Sequence, residues 1–474
     1  MKTRLTFRFA LLLTTMLMLN AVASGQTTQA TPAYEEEPEV PKEWFEEDGG
    51  EALIDGCNEF GADLLEKLAR NMSNVDNLVF SPPSMHLSLM MAREGADGAT
   101  LRQMTKVLDV DATRDADPAD YIDELLAALN VVGADQDGVE LTVANALWGQ
   151  SGEDWQAEFL EQLKTDFAAP MEDVDFTDDP EAARETINTW IAKKTGNQIA
   201  ELLPEDSLDE TTRMVLTNAV YFKASWKYTF DATKTAEEPF TLATDKTVDV
   251  QMMHQTGTFN YARGSTYSLL ELPYTGEGLS MLVILPNHAG DLHRVCKGMN
   301  LSPTIRKFKS QEVAVSLPKF QLRSTLDPKS ALEAMGMKDV FDPDRADFSA
   351  MTVEDNELYI DQVMHEGMID VSETGTEAAA ATAVVVNTRS ARPAKTVEFV
   401  ADRPFLFVIK HNETGLILMA GVISDPTDTV AAEAAAEAAK AEAEEKAKAE
   451  AEEKTKAEAD GDAATFITID ADAE

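Results

Sequence analysis

Apolar residues recur at helical spacing between Leu53 and Met72, where Leu53, Ile54, Phe60, Leu64, Leu65 and Leu68 can share one face. That spacing predicts a helix, and Phe159–Phe167 and Ala182–Lys194 predict two more. Runs rich in Val, Ile, Leu and Phe predict strands at Met214–Lys223, Tyr267–Leu272, Ser280–Leu285, Glu312–Leu317, Phe405–Ile409 and Ile417–Ile423. Helices and strands are interspersed without strict βαβ alternation, which predicts an α+β fold with mixed sheets.

One stretch resists either period at first sight. From Glu373 to Pro393 the chain passes Gly375, a row of small residues broken only by Glu377, then Val384-Val385-Val386 and two arginines. Ala favours helix and Val favours strand. Read with period 2, Thr376, Ala378, Ala380, Thr382 and Val384 share one face, and the early side chains on it are all small. Such a ribbon could enter a packed sheet without overfilling it. An Ala-rich surface helix leading into a loop is the other reading of these residues.

The two ends of the chain differ from its middle. Residues 1–25 read as a secretory signal: Lys2, Arg4 and Arg8, then the run Phe9–Leu19, then Ala21-Val22-Ala23 as a cleavage site. Export to a secreted, extracytoplasmic location is the expectation. Residues 26–50 are acidic, without apolar periodicity, and read as a flexible leader. Residues 427–474 turn to Ala, Glu and Lys, with Glu442/Lys446 and Glu450/Lys454 at helical i,i+4 spacing. This tail holds 15 acidic and 5 basic residues and predicts an exposed helix with no apolar stripe. No later run is apolar enough to span a bilayer.

A net charge of −45 argues against nucleic acid and anionic membranes as partners. Cys57 and Cys296 are the two cysteines; two separately buried thiols are expected, a single disulfide being the alternative. The His and Cys spacings suggest neither zinc nor any other metal, and no cofactor is expected. A Gly-x-Ser-x-Gly elbow and a phosphate-binding Gly-rich loop are both missing from the sequence, so an enzyme is not the expectation.

Several segments then fall into a series. They include Asn77–Ser84 (NLVFSPPS), Leu141–Trp148 (LTVANALW), Ile187–Trp190, Thr195–Ile199, Thr217–Lys223 (TNAVYFK) with Ser225-Trp226, and Leu272-Pro273-Tyr274. Leu317–Phe320, Ala346–Met351, Ala401–Phe405 and the hinge-like Glu373–Thr382 complete it. In order and spacing these resemble the serpins, inhibitors of serine proteases, over roughly residues 51–426. The resemblance implies one domain, 51–426, with three β-sheets, about nine surrounding helices and an exposed reactive loop. It implies a suicide-substrate mechanism. A protease cuts the loop, is held as an acyl-enzyme, and is carried away as the loop inserts into the main sheet.

The loop offers Arg389-Ser390 and Arg392-Pro393 as bonds for a protease that selects basic residues. Proline after Arg392 obstructs cleavage there. In the family the bait bond lies sixteen residues after the hinge glutamate, and from Glu373 that is Arg389. A trypsin-like serine protease in covalent complex is the expected partner, and the inhibitor is expected to act as a monomer. Glu373, Gly375, Thr376, Ala378, Ala380 and Thr382 are the expected hinge and insertion residues, with Gly375 as a flexible pivot. Ser81, Ser84, Asn218 and His365 match the family's shutter, and Trp226 the residue where insertion begins. For each, a plain core role is the alternative. Asp109–Asn130, where some serpins carry a heparin-binding helix, has one arginine among seven acidic residues, so no heparin-type activation is expected. Glu366-Gly367 departs from the family's usual Lys-Ala, and a glycine inside a central strand is expected to weaken it. A non-inhibitory carrier or chaperone serpin, whose loop is merely cleaved, is the alternative function.

Overall fold

The computed structural model describes residues 50–71, 76–110, 139–167, 169, 171–276, 278–297, 307–353, 358–376 and 396–427. Residues 1–25, read above as a signal, almost all of the expected leader, most of the acidic Asp109–Asn130 stretch, residues 377–395 and nearly all of the tail lie outside them.

The first predicted helix is α1 (Gly50–Asn71), starting three residues before Leu53. After β1 (Leu78–Phe80), α2 (Pro82–Arg93) begins where Ser81 accepts the Ser84 amide and two prolines fill the first turn. Then come α3 (Gly98–Val107), β2 (Val139–Gln150), α4 (Ala157–Asp166), β3 (Met171–Val174) and α5 (Pro180–Lys194). Strands β4 (Met214–Ser225), β5 (Ala236–Thr241), β6 (Thr247–Arg263), β7 (Tyr267–Pro273) and β8 (Leu279–Pro286) follow. The chain continues with α6 (Leu292–Cys296), β9 (Lys309–Pro318), β10 (Phe320–Leu326) and α7 (Lys329–Met335). It closes with β11 (Gln362–Val371), β12 (Gly375–Thr376), β13 (Val397–Val400), β14 (Phe405–His411) and β15 (Ile417–Ile423). Each helix and strand predicted within the described residues is present, with ends shifted by up to three residues, whereas the helix predicted in the tail lies outside them.

One sheet has six strands in the order β10-β11-β12-β4-β2-β3, and below β12 the parallel strands β11 and β4 pair directly. The other has nine, running β1-β15-β14-β8-β7-β6-β9-β13 with β5 on β6. Three sheets and about nine helices were expected; among the described residues there are two hydrogen-bonded sheets and seven α-helices. The count falls because β6, 17 residues long, pairs with β5 and β9 along most of its length and with β7 through Asn260–Arg263. One strand thus joins two groups that would otherwise be separate.

β4 explains why its sequence reads as an unbroken apolar run. All of its residues but Lys223 are buried, because both faces are covered. Leu216, Val220, Phe222 and Ala224 face the main core. Val215 and Ala219 pack with Ile187 and Ile191 of α5 in a second, smaller cluster. The glycine expected to weaken β11 has a positive reason for being there: a Cβ on Gly367 would lie 2.6 Å from the Val79 carbonyl oxygen, so β1 passes too close for any side chain. Cys57 and Cys296 are both buried free thiols, and burial pushes both well above the usual thiol range. Among the described residues no helix is long and apolar enough to cross a membrane, and no group of three or more His, Cys, Asp and Glu gathers as a metal site.

Candidate functional site

The seam between β4 and β11 gathers the polar residues singled out above. Eight pairs register the two strands, from Gln362 with Val215 to Ile369 with Phe222, and Asn218 stands opposite His365. His365 Nδ1 bonds Asn218 Oδ1, while His365 Nε2 accepts the Ser81 amide at 3.2 Å. Asn218 Nδ2 faces Ser84 Oγ at 2.6 Å and Ser88 Oγ at 3.1 Å. Burial drives the His365 pKa down to about 3, so the ring is neutral and carries its proton on Nδ1. Ser81, Ser84, Asn218 and His365 therefore meet at this seam.

Two members of the cluster were missed. Asn145 on β2 accepts from Ser84 Oγ at 2.8 Å and from Asn218 Nδ2 at 2.5 Å, and Ser88 sits one helical turn beyond Ser84 on α2. The signal for Asn145 was present: it is the one polar side chain in the apolar run Val143–Trp148 of β2. Buried polar atoms need partners, and a cluster in which each member has several can exchange them as strands separate.

At the upper end of the seam, β11 turns back through Ser372–Gly375. Ser372 N–H donates to the Gly375 carbonyl at 2.7 Å, and Gly375 N–H to that of Ser372 at 3.3 Å. Gly375 and Thr376 then form β12, pairing with β4 as Gly375–Ser225 and Thr376–Ala224, and with β11 as Thr376–Val371. Gly375 is not the loose pivot expected. Its φ is +153° and a Cβ there would meet the Ala224 carbonyl oxygen at 2.2 Å. Close approach and backbone angle together demand glycine.

Trp226 clamps this turn. Its Nε1 donates to the Ser372 carbonyl at 2.9 Å and its amide to the Thr374 carbonyl at 3.0 Å, while the indole stacks on Tyr274 with centroids 4.5 Å apart. Tyr274 in turn holds fully buried Thr376, hydroxyl to hydroxyl at 3.0 Å. Tyr274 lay in a quoted motif but received no role from sequence. Glu373 accepts from Thr235 Oγ1 at 2.9 Å and Lys319 Nζ at 3.2 Å. Burial pushes the Glu373 carboxyl up, but its own amide, Thr235 and Lys319 outweigh that and hold it below the usual range. Ala378, Ala380, Thr382, Arg389 and Ser390 lie outside the described residues.

The family model described as serpin (serine protease inhibitor) matches residues 55–426. Serpin B6 of Pongo abelii is 37% identical over 384 residues, covering 79% of this chain and 100% of that one. Leukocyte elastase inhibitor of Xenopus laevis is 37% identical over 385 residues, with the same coverage. Among solved structures, AtSerpin1 of Arabidopsis in its native stressed conformation superposes with a TM-score of 0.71 at 26% identity, over 80% of this chain and 100% of that one.

These relatives overturn the expected export. Serpin B6 and leukocyte elastase inhibitor are intracellular serpins that lack signal peptides, so the secreted, extracytoplasmic assignment from residues 1–25 does not stand. A basic start followed by an apolar run is a statement about composition, and composition alone does not separate an export signal from other N-terminal segments.

Proposed function

Because this chain belongs to the serpin family, we propose that it inhibits trypsin-like serine proteases as a suicide substrate with Arg389–Ser390 as the bait bond. The protease's serine attacks the Arg389 carbonyl, the Ser390 amine leaves, and an ester joins protease to Arg389. The freed loop then enters the seam between β4 and β11 as an added strand before water can hydrolyse that ester. Fourteen steps from Gly375 to Arg389, at about 3.4 Å each, carry the protease roughly 48 Å.

The observation that carries this reading is β12. It already pairs with both banks of the seam, Gly375 and Thr376 with β4 and Thr376 with β11, so the register of any continuation is set. Continued antiparallel to both strands, Ala378 falls between Phe222 and Ile369, and Ala380 between Val220 and Gly367. Six steps past Thr376, Thr382 arrives between Asn218 and His365, the pair whose mutual hydrogen bond an entering strand must break. Small residues thus meet the packed core side, and a hydroxyl arrives where two polar groups have lost each other. Glu377 falls on the outward face.

In this reading residues 51–426 are the inhibitory domain, acting as a monomer, and 427–474 an appended acidic tail. The test is incubation with trypsin followed by a denaturing gel and mass analysis. A covalent band at the summed mass, lost in Arg389→Ala, supports the proposal. Complete cleavage without that band would assign the protein to the non-inhibitory serpins, and undiminished trypsin inhibition by Arg389→Ala would move the bait bond elsewhere.

A further inference from the structure

Glu366, the departure noted in the sequence, is a carboxylate at the middle of β11 with its side chain 0% exposed. It stands opposite Thr325 on β10 and Ala219 on β4. Its oxygens accept from Arg323 Nε at 2.5 Å, Arg323 Nη2 at 3.1 Å and Thr325 Oγ1 at 3.1 Å. A charge this deep persists only when it is partnered this fully.

Arg323 reaches a second acceptor. Its Nη2 donates at 2.6 Å to the carbonyl of Glu201, in the segment running from α5 to β4. α5 holds the same segment from the other side. Arg184 Nη1 bonds Glu201 Oε1 at 3.0 Å and the Leu203 carbonyl at 2.9 Å, and Asn188 Oδ1 accepts the Leu202 and Leu203 amides at 3.0 and 2.9 Å. α5 itself packs on β2 and β4, its Ile187 and Ile191, with Leu203 of the segment, lying beside Ala144, Ala146 and Ala219. Arg323 and Glu366 belong to β10 and β11. The chain of polar contacts therefore starts on one bank of the seam and ends on the other.

We propose that Arg323 and Glu366 are positioning residues that tether the α5 segment across the β4–β11 seam and set the rate at which the sheet parts. An added strand widens the seam by about 4.8 Å. The backbone bonds of β4 and β11 re-form on either side of the newcomer. The bond from Arg323 to the Glu201 carbonyl, at 2.6 Å, cannot span that widening unless α5 or its segment moves. Breaking it is thus part of the barrier to insertion, over and above the exchange at Asn218 and His365.

The inference rests on the loop-insertion reading, but its test needs no protease. A synthetic peptide with the sequence of residues 375–386 is mixed with the intact protein, and uptake is followed by native gel and mass. Arg323→Leu/Glu366→Leu removes both charges together and so leaves neither buried alone. It is expected to take up peptide at least tenfold faster than the natural protein, without a lower melting temperature; a merely structural role would lower that temperature. If both proteins take up peptide at one rate, the tether falls and insertion stands. If neither takes it up, both fall. Should the double variant not fold, Glu366→Gln serves in its place, with a threefold rise expected and an unchanged rate overturning the tether.

Discussion

The hydroxyl of Tyr274 lies 3.0 Å from that of Thr376, and both groups are buried. Burial drives the Tyr274 phenol well above its usual range, so it stays protonated and able to donate. The first residue that a cut loop would carry into the sheet is therefore already seated there in the uncut protein.

Removing that bond unseats it. Tyr274→Phe leaves the Thr376 hydroxyl buried without this partner, which costs about 1–3 kcal/mol. Thr376→Val in the same background is expected to restore part of the loss, because an apolar pair no longer strands a hydroxyl. Urea unfolding of the two single variants and the double variant forms the cycle. Strictly additive losses would mean that the two hydroxyls are not coupled.

In the proposed inserted strand Ala380 would fall on the inward face, in the register that puts it between Val220 and Gly367. Ala380→Arg would place a charge against Val220 in the core, and it is expected to turn inhibitor into substrate: trypsin cleaves it fully and no covalent band survives. The natural protein cleaved after Arg389 is expected to melt well above the intact form, since an added central strand completes the sheet. Equal melting temperatures, or a covalent band undiminished in Ala380→Arg, would argue against insertion.

Acid should weaken the fold through its buried histidines. His365 is lowered to about 3 and His86 to about 4, both by burial, with a hydrogen bond to the Leu108 carbonyl opposing the shift at His86. Each is neutral in the folded state and gains a proton near the ordinary value of about 6.5 when unfolded. The unfolded state then binds more protons, so the stability these groups contribute is intact above about pH 6.5 and is lost as pH falls toward 4. Each costs about 1.4 kcal/mol per pH unit over that window. Asp370, raised by burial, works weakly in the opposite sense. Denaturant midpoints at pH 7 and pH 5 check this, and His365→Gln should flatten the dependence. A midpoint indifferent to pH across that range would contradict it.

Local sequence was enough for much of this. Period and composition located α1, α4, α5 and strands such as β4 and β15, because burial of one face or both leaves its period in the apolar residues. The family resemblance marked Ser81, Ser84, Asn218, His365 and Trp226 as expected sheet-opening residues. Tertiary structure decided what those residues touch. Asn145, Ser88 and Tyr274 join the seam because β2, α2 and the strand pair β7–β8 deliver them to it, and no spacing along the chain encodes that meeting. Gly367 looked like a weakness until β1 was seen to press on it. Glu366 looked like an oddity until Arg323 was found beside it. Hydrogen bonds and ion pairs depend on ångström-scale distances between residues far apart in sequence, and those distances exist only once the sheets have packed.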